Sequence, residues 1–287
     1  MTGTHLKLIN LETNFLWMNI KYSATLGLPY AEKDSLKNER GVIVCGTAPS
    51  LVRGSSLREI QRLKKLGYKI CAVKQAIRIL NEYDIKPDFS VAMDPGEKQT
   101  IKTPLDPQVI YYLASSCHPR LFNYLMKGGA SVRVFHSACG AKTEDLAEME
   151  IYEKYYPNNA KITDVAMGGY TVVNRAIALS EYLGAKKIII AGAPFGWREG
   201  DDYYAPTVTE APGNASGPTL NDSKLVDGKL WYTKADLLPS AVSVARKAKA
   251  DPEKFEFLGD SLASSLAARS TEFINRIIQD KKSWSFR

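Results

Sequence analysis

The fold is decided by one stretch, Gly41-Val42-Ile43-Val44-Cys45-Gly46-Thr47-Ala48-Pro49-Ser50-Leu51. Its first half is a short run of mostly β-branched residues between two glycines, which is typical of a strand buried on both faces of a parallel sheet. Its second half combines glycine, proline and serine, the residues that favour tight turns. The stretch therefore predicts the first strand of an open sheet, followed by a loop at the carboxyl end of that strand.

The same alternation of strand and helix continues along the chain. Apolar residues recur at helical spacing from Leu57 to Leu66, and Gly67 ends that helix before a second strand at residues 69–73. Further strands are predicted at residues 89–94, 109–113, 132–135, 188–191 and 255–258, and helices at 75–83, 234–250 and 261–278. This pattern predicts the α/β class, with a Rossmann-like, doubly wound, mostly parallel sheet that carries helices on both faces.

Two segments differ from this pattern. Residues 1–40 are polar with isolated apolar clusters and end in a charged connector, which indicates an N-terminal helical arm. Residues 193–229 contain many prolines and glycines and no periodic segment, so they are expected to form a long loop insertion at the active site. We therefore divide the chain into the arm, 1–40, and one Rossmann-like domain, 41–287, that contains the insertion.

The composition limits the class of protein. Of the 287 residues, 45% are hydrophobic and 24% are charged, which is ordinary for a folded protein and excludes a fibre or a disordered tail. The net charge of +7 suits an anionic partner, although the basic residues are scattered along helical stretches where a solvated face is the simpler interpretation. No stretch reaches the roughly 20 apolar residues of a membrane span, and no signal peptide begins the chain, so we expect a cytoplasmic protein.

The cysteines are the residues most often used to hold zinc or form disulfides. Cys45, Cys71, Cys117 and Cys139 have no C-x-x-C spacing and lie in or beside apolar runs. We predict that they are buried thiols, and the sequence assigns no metal ligand among them.

Candidate binding residues follow the first three strands at their carboxyl ends, where open α/β sheets bind ligands. The loop Gly46-Thr47-Ala48-Pro49-Ser50 can bring backbone N–H groups to a phosphate or a base, although a mere tight turn would use the same residues. Lys74 and Gln75 follow the second strand, and Asp94 follows the third. Because these strand ends share one edge of the sheet, we expect the side chains to lie near one another and near Ser50. A solvated position for Lys74 and a cap for Asp94 are the alternatives.

Two later segments add candidates for phosphate binding. Gly168 and Gly169 open an amphipathic helix, whose N-terminal dipole favours a nearby anion by roughly 0.3–1 kcal/mol. Close packing of the helix on a strand would also select glycine. The loop after residues 188–191 supplies Trp197, Tyr203 and Tyr204, which can stack on a base or hold a leaving phosphate, and Asp201 and Asp202, which can bind a metal. Aromatic residues that only cover the core are the alternative interpretation.

In this order and at these distances, the segments resemble a known family. It comprises proteins like archaeal 6-hydroxymethylpterin diphosphokinase and the bacterial motility-associated factors, which are related to bacterial CMP-sialic acid sialyltransferases. The resemblance spans about residues 40–270. It rests on residues 46–51, on Ile85-Lys86-Pro87-Asp88 followed by Asp94, on Gly168-Gly169 through Leu183-Gly184 to residues 188–192, and on residues 255–262.

The resemblance to the sialyltransferase branch implies roles for several residues. The first loop and the Gly168-Gly169 helix would hold the nucleotide, and Trp197 with Tyr203 or Tyr204 would hold the leaving phosphate. That branch uses a histidine as general base in the segment that matches residues 230–234, where this chain has none. Residues 227–233 instead resemble the diphosphokinase and motility-factor branch, where a G-x-x-x-x-T stretch precedes a helix, which adds Thr233 to the nucleotide-binding candidates.

The histidines of the chain offer little support for a base elsewhere. His118 precedes a proline and His136 follows a predicted strand. Either ring can serve as a base, but a turn role or a core role is the favoured interpretation for each.

Three functions remain open. The leading hypothesis is a nucleotide-sugar-dependent glycosyltransferase, in which Asp94 or Asp202 deprotonates a hydroxyl of a glycan, a protein or a modified nucleic-acid base, and Tyr204 joins the catalytic residues. The second is an ATP-dependent diphosphokinase that acts on a pterin-like alcohol, with Mg²⁺ on Asp94 or on Asp201 and Asp202. The third is a non-catalytic nucleotide-binding module. The expected partner is a nucleotide-activated sugar or ATP, and a homo-oligomer is compatible with all three.

Overall fold

Nine strands occur in the described part of the computed structural model, which comprises residues 16–137, 154–156, 171–193, 195–198, 205, 222–226, 228–234 and 237–279. They are β1 (Val42–Cys45), β2 (Lys69–Val73), β3 (Phe89–Ala92), β4 (Ile110–Ala114), β5 (Ser131–Phe135), β6 (Ile188–Ala191), β7 (Asp222–Val226), β8 (Lys229–Thr233) and β9 (Phe255–Leu258). Seven of them form one parallel sheet in the order β5-β4-β3-β2-β1-β6-β9. The predicted α/β, Rossmann-like class is confirmed.

Strand β1 lies in the interior of the sheet, between β2 and β6, and is completely buried. Its residues Val42–Cys45 pair with β2 on one side and with β6 on the other. Such a strand needs an unbroken apolar sequence, because helices cover both faces of a parallel sheet. From β1 the chain builds the sheet outward to β5 and then returns to the opposite side of β1. The exits of β1 and β6 therefore form the switch point where open α/β sheets bind ligands.

Helices connect the strands and cover the sheet. They comprise residues 16–25, Ser56–Lys65, Ala76–Glu82, Gln99–Lys102, Pro119–Lys127, Val172–Tyr182, Leu237–Ala250, Leu262–Ala267 and Thr271–Gln279. The helix Val172–Tyr182 packs on β1, β2 and β3. Because it precedes the parallel strand β6, its N-terminus lies toward the carboxyl edge of the sheet. Within the described ranges, no helix combines the length and the apolar character needed to cross a membrane.

The C-terminal helical pattern, predicted over residues 261–278, is divided into two helices. The first begins with a capping box, in which the side chains and backbone N–H groups of Ser261 and Ser264 bond reciprocally. The second begins after Ser270, whose hydroxyl accepts a hydrogen bond from the Phe273 N–H at 3.2 Å. Serine side chains compete with the helical backbone for hydrogen bonds, which explains why the helix is interrupted at Ser270.

The predicted absence of periodic structure over residues 193–229 is wrong for its last part. Strand β7 pairs antiparallel with β8, from Asp222 opposite Thr233 to Val226 opposite Lys229. The signal for this hairpin is the Asp-Gly dipeptide at positions 227–228, which favours a two-residue turn. Gly228 has a φ of +69°, a conformation that such turns require and that glycine adopts without strain.

The described part of the predicted N-terminal arm packs against the sheet. The Ala31 N–H donates to Val134 O at 2.9 Å, and the Val134 N–H donates to Pro29 O at 2.9 Å. The Asn19 amide donates to the carbonyls of Pro95 and Ser116, at 3.2 and 2.9 Å. The division of the chain at residue 40 remains a prediction.

Candidate functional site

The loops that follow β1 and β6 approach each other through two glycines. A Cβ atom on Gly46 would lie 2.4 Å from the Gly192 carbonyl oxygen, so no side chain fits there. The Gly46 N–H donates to Ala191 O at 2.8 Å, and the Ala48 N–H donates to Gly192 O at 2.9 Å. Both donors are therefore engaged within the protein. The close approach to Gly192 explains a glycine at position 46, and the predicted nucleotide contact of this loop stays a prediction.

The rest of the first loop is a short 3₁₀ turn, Pro49–Leu51, that begins after Ala48. The Thr47 carbonyl accepts a hydrogen bond from the Ala205 N–H at 2.8 Å, which brings the long insertion onto this loop. Thr47 and Ser50 are half-buried, whereas Ala48 and Pro49 are buried. Among the predicted loop residues, Thr47 and Ser50 are thus the two polar side chains that solvent can reach.

At the neighbouring strand ends, Lys74 and Asp94 form an ion pair. Lys74 Nζ contacts the Asp94 carboxylate, and the two side chains are 23% and 31% exposed. Lys74 has a φ of +50°, a strained conformation for a lysine, of the kind that clusters at functional sites. Gln75 is buried at the start of the helix Ala76–Glu82. The pair rules out a simply solvated position for Lys74.

The environment of Lys74 makes its charge sensitive to pH. Burial lowers the pKa of Lys74 to about 8, because desolvation penalises the ammonium, while Cys117 raises this pKa and Lys102 lowers it. The contact with the Asp94 carboxylate works against desolvation, because an opposite charge favours the ammonium. At neutral pH the side chain is charged and only partly solvated.

The alternative with Mg²⁺ requires a set of oxygen ligands. Within the described ranges, no group of three or more Asp, Glu, His or Cys side chains is placed to hold a metal ion. Asp94 is already in contact with the Lys74 ammonium, which repels a cation. Asp94 is therefore a poor Mg²⁺ ligand while it is paired with Lys74. Asp201 and Asp202, the other predicted metal ligands, lie outside the described residues.

A cavity of about 320 Å³ opens on the other side of the β1 loop, toward β6 and β9. Its walls are the β1 loop (Pro49, Ser50, Arg53, Gly54), the β6 loop (Gly196, Trp197, Arg198), the hairpin residue Trp231 and the β9 loop (Gly259, Asp260). Of the predicted residues, Pro49, Ser50 and Trp197 lie here. Arg198, Trp231 and Asp260 were not among the predicted site residues, although the resemblance placed Asp260 in the ligand-side turn that follows the last strand.

Thr233 lies close to this cavity but inside the core. It is fully buried, and its hydroxyl donates to Phe195 O at 3.1 Å. Next to it, the backbones of Trp197 and Tyr232 bond to each other at 2.9 and 2.7 Å. The Thr233 hydroxyl thus links the β7–β8 hairpin to the β6 loop by a hydrogen bond. Its predicted contact with a nucleotide stays a prediction.

Both described histidines have structural roles, as favoured from the sequence. His118 Nδ1 accepts the Arg120 N–H at 3.2 Å and caps the helix Pro119–Lys127. His136 is completely buried and bonds through Nδ1 to the Ser115 hydroxyl at 2.9 Å. Burial lowers the pKa of His136 to about 4, so the ring is neutral at pH 7.

Three of the four cysteines, Cys45, Cys71 and Cys117, are buried free thiols, as predicted. Cys139 lies outside the described residues, together with the candidate site residues Asp202, Tyr203, Tyr204, Gly168 and Gly169. The catalytic and phosphate-binding roles of those five stay predictions.

Comparison with known proteins gives a family and a related fold. A family model described as "6-hydroxymethylpterin diphosphokinase MptE-like" matches residues 16–200. The solved structure of the MAf glycosyltransferase from Magnetospirillum magneticum AMB-1 is similar, with a TM-score of 0.56 and 14% sequence identity over 94% of this chain. The match covers 41% of that chain, so the likeness shows the fold of one part of it. None of the curated proteins compared with the chain matches it.

Proposed function

Because the chain belongs to the 6-hydroxymethylpterin diphosphokinase MptE-like family, we propose that it is a transferase that binds a nucleotide-activated donor at the carboxyl edge of its sheet. The proposed reaction is transfer of a sugar from a nucleotide sugar to a hydroxyl acceptor. The ion pair of Lys74 and Asp94 is the observation that carries this proposal. The Lys74 ammonium can bind a phosphate, and the Asp94 carboxylate beside it can accept a proton from the acceptor hydroxyl. Both residues lie next to the switch point at the exits of β1 and β6.

In this reaction the acceptor oxygen bonds to the anomeric carbon, while the bond from that carbon to the donor phosphate oxygen breaks. Asp94 accepts the proton of the acceptor hydroxyl. The Lys74 ammonium balances the negative charge that develops on the departing phosphate. Partial burial strengthens both interactions, because few water molecules screen them.

The second candidate is an ATP-dependent diphosphokinase, which the description of the family favours. In that reaction an alcohol oxygen attacks the β-phosphorus of ATP, and AMP leaves. Mg²⁺ would have to be held by Asp201 and Asp202 rather than by Asp94, whose carboxylate contacts Lys74. A third candidate, a binding module without turnover, shares the nucleotide site.

A thermal-shift screen with CMP, UDP, GDP, ADP and ATP, each with and without Mg²⁺, tests the three candidates. A ligand at 100 times its Kd stabilises the native state by about 2.7 kcal/mol, which such a screen detects. Stabilisation by CMP or UDP without metal, followed by sugar transfer, supports the glycosyltransferase. Stabilisation by ATP only with Mg²⁺ supports the diphosphokinase, and binding without turnover supports the module. If no nucleotide stabilises the protein, the proposed site is wrong.

The variant Lys74→Met tests the site itself, with Lys69→Met as the matched control. Lys69 begins the same strand at the opposite edge of the sheet and pairs with Asp88 at 3.6 Å. We expect Lys74→Met to weaken nucleotide binding about tenfold, as the loss of one charge-assisted hydrogen bond does, and Lys69→Met to leave the affinity unchanged. In the unmodified protein the affinity should fall as pH rises through about 8, where Lys74 loses its charge. Equal effects of the two variants would contradict the assignment.

A further inference from the structure

The cavity beside β6 and β9 is separate from the Lys74–Asp94 pair, since neither residue lines it. In the sheet order β3-β2-β1-β6-β9, the β1 loop stands between the ends of β2 and β3, which carry the pair, and those of β6 and β9, which carry the cavity. A ligand that occupies the cavity therefore lies next to the proposed donor site. The chemistry of the cavity walls indicates what that ligand is.

One wall presents hydrogen-bond donors and acceptors side by side. Asp260 contacts the Arg198 guanidinium and lies 3.4 Å from Lys229 Nζ. The side chains of Arg198 and Asp260 are 35% and 44% exposed, so polar atoms of both remain within reach of a ligand. Arginine only donates and a carboxylate only accepts, whereas a sugar hydroxyl does both. The pair therefore matches two adjacent hydroxyl groups.

A second wall is aromatic. Trp197 and Trp231 are buried indoles with edges on the cavity, and the Arg198 guanidinium lies 5.0 Å from the Trp231 ring centroid. Among the residues that the structure describes, Trp231 Nε1 has no hydrogen-bond partner. Because this atom is itself out of reach of solvent, the indoles contribute apolar surface to the cavity rather than a hydrogen bond.

Glycines keep the cavity open. Gly54 and Gly259 line it with φ values of +64° and +88°, and a Cβ atom on Gly54 would meet no atom within 4 Å. The resulting volume of about 320 Å³ lies at the small end of ligand pockets and is sufficient for a single ring.

The position of Asp260 is what distinguishes a sugar from a phosphate. Arg53 adds a cation to the cavity, but at the Arg198 wall a phosphate would meet the Asp260 carboxylate and would have to displace it from Arg198 and Lys229. A neutral ring leaves both ion pairs in place. Resting on the proposed function, we propose that the cavity binds one neutral, hydroxyl-rich ring, a monosaccharide unit, with Asp260 accepting from and Arg198 donating to adjacent hydroxyl groups.

The binding test uses methyl glycosides of glucose, galactose and N-acetylglucosamine, with inorganic phosphate as the competing probe, in NMR titrations of the full chain. We expect saturable binding of at least one glycoside, and at least tenfold weaker binding to Asp260→Asn. The matched control is Glu32→Gln, which also breaks an arginine–carboxylate pair, the 3.8 Å contact with Arg133 on the edge strand β5. This control should bind the glycoside normally.

A second variant keeps the test decisive if Asp260→Asn fails to fold. Gly54→Asn adds a side chain at the cavity wall, and asparagine tolerates a positive φ better than most residues. It should also weaken glycoside binding. The proposal is overturned if no glycoside binds, if phosphate binds in the cavity instead, or if both variants bind glycoside normally.

The same variants show which substrate supplies the ring. If Asp260→Asn weakens binding of a nucleotide sugar but not of the free nucleotide, the ring belongs to the donor. If it weakens only glycoside binding, the ring belongs to the acceptor. Nucleotide binding that persists without any glycoside binding overturns the cavity assignment alone. Glycoside binding without any nucleotide binding overturns the proposed function and leaves the cavity assignment intact.

Discussion

Two glycines determine the geometry where β1 and β6 leave the sheet. Gly46 and Gly192 touch through their backbones, and Gly192 has a φ of +61°. A Cβ atom on Gly192 would lie 2.7 Å from the Leu51 Cβ, so Leu51 of the first loop packs directly on Gly192. The position of Ser50 at the edge of the cavity depends on this close approach.

We expect Gly46→Ala to destabilise the protein by about 3 kcal/mol, because the new methyl group meets a backbone carbonyl that cannot move aside. Gly96→Ala is the control, since its Cβ would meet no atom within 4 Å, and its cost should be small. The measurement is the midpoint of urea unfolding at an unchanged m-value. Similar midpoints for the two variants would show that the close contact is not rigid.

At the scale of elements, the helix Val172–Tyr182 connects the sheet to the helix Leu237–Ala250. It is buried along most of its length and crosses β1, β2 and β3. The Asn174 side chain donates to Ser240 O at 3.1 Å, which joins the two helices. The Thr171 hydroxyl accepts the Asn174 N–H at 3.3 Å and caps the N-terminus.

We expect Thr171→Ala to lower the free energy of unfolding by about 1 kcal/mol, the usual cost of losing such a cap. Thr25→Ala removes a hydroxyl on an exposed helix surface that, among the residues described, bonds to Tyr22 O at 2.7 Å, and it should have little effect. Thermal unfolding of the two variants side by side makes the comparison. An equal loss in both would mean that the cap contributes no more than an ordinary surface hydroxyl.

At the scale of the whole molecule, a buried polar cluster joins segments that are distant in sequence. The Ser23 hydroxyl lies 2.5 Å from the Tyr156 hydroxyl and donates to Ser115 O at 2.8 Å. The rings of Tyr30 and Tyr156 pack edge-on against His136, with centroids 5.7 and 4.6 Å away. The cluster thus connects the N-terminal helix to the ends of β4 and β5.

This cluster should make the protein sensitive to acid. The unfolded chain protonates His136 below a pH of about 6.5, whereas the folded protein does so only near pH 4. The unfolded state therefore binds more protons between these values, and stability falls as pH falls, by up to about 1.4 kcal/mol per pH unit. Urea unfolding of the protein and of His136→Gln from pH 7 to 4.5 should show a flatter profile for the variant. Parallel profiles would assign the acid sensitivity to other groups.

The strands and the α/β class could be predicted from the sequence because both depend on near neighbours. The run Val42–Cys45 between two glycines and the helical spacing up to Leu66 are local patterns, and the structure has a strand and a helix at both places. The loop after β1 was placed correctly at a strand end for the same reason. The hairpin at β7 and β8 also had a local signal, the Asp-Gly turn, which the proline-rich composition around it concealed.

Only the tertiary structure decided which strand-end residues meet. Lys74 and Asp94 were predicted to be close, but the ion pair between them follows from the parallel register of β2 and β3. The cavity brings together Ser50, Trp197, Trp231 and Asp260 from segments up to 210 positions apart in sequence. No local sequence pattern predicts that these four side chains meet. They meet because β1, β6 and β9 are neighbours in the sheet, and only long-range packing determines that order.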